Sequence, residues 1–170
     1  IDTRFGTANQ YHFSQGNCLP LTGVPFGMNY LSVETSQSRG SWWFHPDDPT
    51  FAGIRLTHQP SPWVGDFSTF SLLPVSGPVT KGDVFHNTSS YRPSEARFQP
   101  HLIEVFSQRH RILTKVTASI YTFSCHICFE NGSAGLIIHN PGQAVWQFSA
   151  DGKTAAGQVQ NVSICCSARL

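Results

Sequence analysis

Arg111-Ile112-Leu113-Thr114-Lys115-Val116-Thr117-Ala118-Ser119-Ile120-Tyr121-Thr122-Phe123-Ser124-Cys125-His126-Ile127-Cys128-Phe129-Glu130 is the stretch whose reading decides the fold. Its early apolar set is Val116, Ala118 and Ile120; its later set is Tyr121, Phe123, Cys125, Ile127 and Phe129, which has the opposite parity. Side chains of a strand point alternately to its two faces, so one straight strand cannot turn both sets toward one core. A strand pair with a bulge or a bend near Ser119–Ile120 can.

Working outward, helical periodicity is nearly absent. Short apolar runs separated by Gly, Pro, Asn and Ser predict strands at Val24–Val33, Gly53–His58, Asp66–Val75, Leu102–Ser107, Arg111–Ser119, Ile120–Glu130, Ala134–His139, Ala144–Ser149 and Gly157–Cys166. Asn131-Gly132 and Asp151-Gly152 are tight-turn signals, because a type I′ turn needs positive φ at both central residues. Short strands at this spacing predict an all-β, antiparallel β-sandwich.

The chain has 170 residues, of which 39% are hydrophobic, 12% aromatic and 12% charged. Globular chains usually carry about 25% charge; disordered chains are charge-rich and aromatic-poor, so disorder is excluded. Eleven Lys and Arg against ten Asp and Glu leave a net charge of +1. Phosphate recognition needs a basic excess, so a nucleic-acid partner is not expected. No apolar run reaches the about 18 residues a membrane span needs, so no membrane partner is expected.

Five cysteines (Cys18, Cys125, Cys128, Cys165 and Cys166) make an odd count and a poor disulfide framework. Reduced thiols and the absence of a visible signal peptide favour a cytoplasmic setting over a secreted one, although a leader could have been removed before Ile1.

Chemistry-bearing residues concentrate in the first half. Ser41-Trp42-Trp43-Phe44-His45-Pro46-Asp47-Asp48-Pro49 and Leu56-Thr57-His58-Gln59-Pro60-Ser61-Pro62-Trp63-Val64-Gly65-Asp66-Phe67 place rings, imidazoles and carboxylates together. An aromatic face with a few aimed polar groups suits a small ligand, and a neutral sugar fits such a lining. Along a strand at least one of Trp42 and Trp43 packs inward. Trp63, between Pro62 and Gly65, reads as a loop residue that faces ligand. Asp47-Asp48-Pro49 is either an ordinary turn or, with His45, His58 and Asp66, part of a metal or carboxylate cluster. Cys125-His126-Ile127-Cys128 is half of a zinc pattern, but strand geometry puts the two sulfurs on opposite faces.

Two segments resemble the opening of glycoside hydrolase family 92. They are Arg4-Phe5-Gly6-Thr7 and Gly16-Asn17-Cys18-Leu19-Pro20-Leu21-Thr22-Gly23-Val24-Pro25-Phe26-Gly27-Met28. Gly53-Ile54-Arg55-Leu56-Thr57-His58 through Trp63-Val64-Gly65-Asp66 is similar to that family's Thr-His…Gly-Asp region, and Leu73-Pro74-Val75-Ser76-Gly77 follows in order. Leu21-Thr22 and Ser61-Pro62 depart from the family pattern, at places that would reshape a pocket wall.

The resemblance implies a calcium-dependent, inverting, exo-acting α-mannosidase of α-1,2 preference, acting on terminal mannose of glycans. It implies that residues 1–170 are an N-terminal, supersandwich-like β-sandwich, an incomplete piece of a larger two-domain glycosidase. The partners are then mannose-containing glycans and the chain's own C-terminal (α/α)6 barrel. That barrel would carry the catalytic acid and base and most of the calcium ligands, leaving no catalytic and no metal-ligating residue here. Carried onto this sequence, Phe5 and Trp63 would line the mannose subsite, with Asp66 and His58 supporting the loop or touching hydroxyls. A stand-alone, lectin-like carbohydrate-binding sandwich is the alternative.

Overall fold

The computed structural model describes residues 1–8, 18–35, 43–57, 70–80, 84–130, 132–140 and 143–159, and the backbone of Ile164–Arg169. Thirteen strands run through the described residues: β1 Tyr30–Glu34, β2 Thr50–Phe51, β3 Gly53–Thr57, β4 Phe70–Ser76, β5 Ser89–Ser90, β6 Arg97–Gln99, β7 Leu102–Ser107, β8 Ile112–Ala118, β9 Phe123–Phe129, β10 Ala134–His139, β11 Ala144–Phe148, β12 Thr154–Val159 and β13 Ile164–Arg169. The single helical element among them is a 3₁₀ turn at Val84–Asn87. The sheets are β1-β3-β4-β10, β6-β7-β8-β9, β11-β12-β13 and the small pair β2-β5. Every pairing is antiparallel.

The parity change in residues 111–130 is resolved by a hairpin. Val116 lies opposite Cys125 and Ile112 opposite Phe129, so even-numbered residues of β8 share a face with odd-numbered residues of β9. The bend is a turn closed by the Ser119 amide donating to the Thr122 carbonyl at 2.8 Å. Ile120 and Tyr121, which the alternation assigned to the apolar face, sit on this turn and are exposed. In β7 and β8 the inward residues Ile103, Val105, Ile112 and Val116 alternate with outward ones, and Ile103 pairs directly with Val116. Such branched cross-strand pairs stabilise a sheet by up to about 1 kcal/mol each.

The two four-stranded sheets share one core. Leu31, Val33, Ile54, Leu73 and Val75 come from the first, and Phe98, Ile103, Val105 and Val116 from the second. Strands β1 and β4 lie against β8. Trp43, Phe44, Phe51 and Tyr91 fill the same core, with the Phe44 and Phe98 rings tilted at 5.6 Å. Each such side chain contributes roughly 1.5–3 kcal/mol on burial. The all-β sandwich read from the sequence is therefore the fold.

Four boundaries differ from the sequence reading. Val24–Val33 is not one strand: the Gly27 amide donates to the Val24 carbonyl at 3.0 Å, and the strand begins only at Tyr30. Pro25 presets that turn at its second position. Gly157–Cys166 is two strands, because β12 and β13 pair with each other across the interval. The short β2, β5 and β6 carry too few residues to show a period. Finally, Asn131 lies outside the described residues, and Gly132 falls between β9 and β10, which belong to different sheets. Gly132 does take positive φ (81°), as does Gly152 (67°) between the paired strands β11 and β12.

Candidate functional site

Residues 2–7 form a clamped loop ahead of the first strand. The Arg4 guanidinium holds Asp2 through Nη2 at 2.6 Å and Nε at 3.0 Å, and reaches the Pro93 carbonyl through Nη1 at 2.6 Å. It also lies 4.8 Å above the Phe98 ring. The Arg4 side-chain hydrogen bonds hold the Asp2 carboxyl below its ordinary range, against the opposing effect of burial. Backbone bonds from Thr3 to Phe98 (2.9 Å) and from Thr7 to Arg4 (3.0 Å) complete the clamp, and Gly6 supplies a φ of 85°. The Phe5 amide donates to the Asp2 carbonyl at 3.4 Å, while Phe5 itself is 95% exposed. Of the four residues expected at a sugar subsite, Phe5 is the one the structure describes. Trp63, Asp66 and His58 lie outside the described residues.

Beneath this half of the molecule, Glu34 on β1 and Arg55 on β3 form a buried ion pair. Arg55 donates through Nη2 to Oε1 at 2.8 Å and through Nε to Oε2 at 3.2 Å. Its guanidinium lies 4.9 Å over the Trp43 ring. Burial pulls the Arg55 pKa below its ordinary value, and the Glu34 charge and hydrogen bonds oppose that pull. Trp43 is thus an inward residue, and Trp42 lies outside the described residues. The Thr35 amide donates to the Trp43 carbonyl at 2.7 Å, and the His45 amide donates to the Thr35 hydroxyl at 3.0 Å.

The acidic stretch behaves as a turn. The Asp48 amide donates to His45 at 3.1 Å, and Asp48 Oδ1 accepts the Thr50 amide at 2.9 Å. Asp48 is buried while Asp47 faces solvent, with His45 Nδ1 4.0 Å from its carboxylate. Among the described residues no group of three or more His, Cys, Asp or Glu side chains could hold a metal ion. Cys125 packs against the core, and burial pushes its thiol up to about 11. Cys128 points the other way, 3.6 Å from His126 Nδ1, so the two sulfurs do not converge.

One surface lies beyond the residues singled out from the sequence. Phe26 takes a φ of 58° and is 96% exposed, next to Met28 at 58%. The turn of the β8–β9 hairpin meets this loop, the Met28 amide donating to the Ile120 carbonyl at 2.7 Å. Pro25-Phe26-Gly27 was a legible turn signal, but reading Val24–Val33 as a strand concealed it.

A two-layer antiparallel arrangement of this kind belongs to the class of all-β sandwich domains. Within that class, this chain belongs to the glycosyl hydrolase family 92 N-terminal domain, which matches residues 1–166. None of the curated proteins matches it in sequence.

Solved structures give the same fold. An inverting mannosidase of family GH92 from Bacteroides thetaiotaomicron aligns at 24% identity and a TM-score of 0.79, over 94% of this chain and 22% of its own. A GH92 alpha-mannosidase of the same organism, in complex with mannoimidazole, aligns at 17% identity and 0.75, over 92% and 22%. The chain thus spans under a quarter of the length of these relatives.

Proposed function

We propose that the chain is the N-terminal domain of an exo-acting, inverting α-mannosidase that removes terminal, α-1,2-linked mannose from glycans. In this reading the domain supplies shape and stacking. Phe5 and Trp63 form the wall of the mannose subsite, with Asp66 and His58 supporting the loop or meeting hydroxyls. The acid and base that inversion requires, set about 6.5–9.5 Å apart to admit a water, belong to a C-terminal (α/α)6 barrel. Calcium, which the family resemblance implies, would be held there too. The thiol-rich composition favours a cytoplasmic setting.

The observation that carries this reading is the family match over residues 1–166, joined to a Phe5 ring that a clamped loop holds in solvent. A hexose presents a C–H face to such a ring, and loss of one aromatic stacking contact costs about 1 kcal/mol or more. Phe5→Ala in the full-length enzyme should lower kcat/KM on an α-1,2-mannobioside at least about fivefold, with unchanged thermal stability. Unaltered kcat/KM would remove Phe5 from the subsite. A full-length protein that releases no mannose from any mannoside would overturn the activity itself.

A further inference from the structure

The loop at Phe26 carries a backbone cost that the sandwich does not need. Val24-Pro25-Phe26-Gly27 is a turn with Pro at its second position and positive φ at its third, the position that favours Gly. A non-Gly residue held there costs on the order of 1 kcal/mol. Gly27 next to it cannot trade places cheaply, because a Cβ at Gly27 would lie 3.1 Å from both the Val24 side chain and carbonyl. The result is a phenylalanine fixed outward, 96% exposed.

Three more apolar side chains join it. Met28 is 58% exposed, Ile120 52% and Tyr121 79%. The two loops that carry them are bonded to each other. Besides the Met28–Ile120 bond, Asn29 Nδ2 donates to the Thr122 carbonyl at 3.0 Å. Ser119 and Thr122 share their hydroxyls at 2.5 Å within the hairpin turn. The polar groups of this rim are thus directed at one another. No Asp, Glu, Lys or Arg occurs in residues 16–33 or 116–129.

We propose that Phe26, Met28, Ile120 and Tyr121 form a docking surface for the remainder of the same polypeptide, the part of the hydrolase beyond these 170 residues. The inference rests on the reading that the chain is one domain of a longer enzyme. Three observations select that occupant. Neither segment carries an Asp, Glu, Lys or Arg, and Asn29, Ser119 and Thr122 direct their polar groups at one another, so the patch offers little to a phosphate or an ion. The two loops are held to each other by hydrogen bonds, so their apolar side chains form one continuous patch. The solved relatives run to more than four times the matched length, the chain covering 22% of each. Interfaces between domains of one chain typically bury about 600–1,500 Å², and four large side chains on two adjoining loops provide the centre of such a patch.

Hydroxyl-radical labelling of the full-length protein, read by peptide mass spectrometry at Met28 and Tyr121, tests this directly. Met28 is the one methionine of the 170 residues, so its oxidation is assigned unambiguously within this domain. Labelling of both residues should be at least fivefold slower than in the urea-unfolded chain, and independent of protein concentration and of added mannose. Smaller protection would show a free surface and overturn the proposal. Protection lost on dilution to a monomer would assign the surface to a second copy, and protection appearing only with sugar would assign it to ligand; either overturns it.

Phe26→Gly relieves the positive φ while removing the ring, so the domain should keep its β-sheet circular dichroism. In that variant labelling of Met28 and Tyr121 should rise severalfold, and unchanged labelling would exclude Phe26 from the contact. The readout needs no turnover. A full-length protein without mannosidase activity therefore overturns the substrate reading alone, and free labelling in an active enzyme overturns the docking surface alone.

Discussion

The sheet β1-β3-β4-β10 and the sheet β6-β7-β8-β9 use the same antiparallel pairing and share one core, yet they place charged residues in opposite ways. In the first, β1, β3 and β4 are buried along almost their whole length, and Ser32, Glu34, Arg55, Thr57 and Ser71 go inside with the apolar residues. In the second, β7 and β8 alternate, and the charges sit on the outer face. There Glu104 lies between Lys115 at 2.7 Å and Arg97 at 3.6 Å. The difference teaches where charge has structural consequence. A carboxylate at a watery face can lose its partner and be resolvated; one inside cannot.

Breaking the inner pair should therefore have the largest effect. Glu34→Ala leaves the Arg55 guanidinium buried without its counter-charge and should destabilise the protein by about 3–5 kcal/mol, read as a shift in urea midpoint. A loss below about 1 kcal/mol would mean that water reaches Arg55 and the contrast between the sheets is not one of burial.

The next effect falls on the backbone of the same sheet. Gly53 has a φ of 138°, and a Cβ there would lie 2.7 Å from the Leu72 carbonyl oxygen. Gly53→Ala should cost about 2 kcal/mol or more, from strain and overpacking together. A neutral result in the same urea titration would show that β3 and β4 can part locally.

On the outer face of the second sheet, Lys115→Ala should change stability by no more than about 0.5–1 kcal/mol, and the change should shrink in 0.5 M salt. A cost matching that of Glu34→Ala would abolish the distinction drawn here. Such a result would place the Glu104 cluster among the groups that hold the fold together.

Legibility follows the same divide. The strands β7, β8 and β9 stand close to where alternation puts them, because one face meets the core and the other meets water. The strand β4, Phe70–Ser76, shows as an apolar run for the opposite reason, being buried throughout. Pro74 within it is tolerated because the pairing with β3 reaches only to Leu72 on that side. Arg55 gave no hint of burial. An arginine in Gly53-Ile54-Arg55-Leu56-Thr57 reads as a solvent-facing break, and only the partner brought from β1 makes it an interior residue.

The site divides in a similar way. Phe5 was singled out from its motif, and the structure places its ring in solvent on a hydrogen-bonded loop. Asp47-Asp48 resolved into its turn reading. Phe26 and Tyr121 were hidden, because each sits in a run whose composition suits a strand while its hydrogen bonds make a turn.

By itself the amino-acid order determined the strand periods, the hairpin parity of residues 111–130, the family and the aromatic motif at Phe5, since these depend on neighbours along the chain. Tertiary structure alone decided which sheet faces are wet, that Glu34 finds Arg55, and that the loops of Phe26 and Tyr121 meet. The reason is physical: alternation and turn chemistry act over a few residues, whereas burial and charge pairing arise only when segments distant in sequence are brought together.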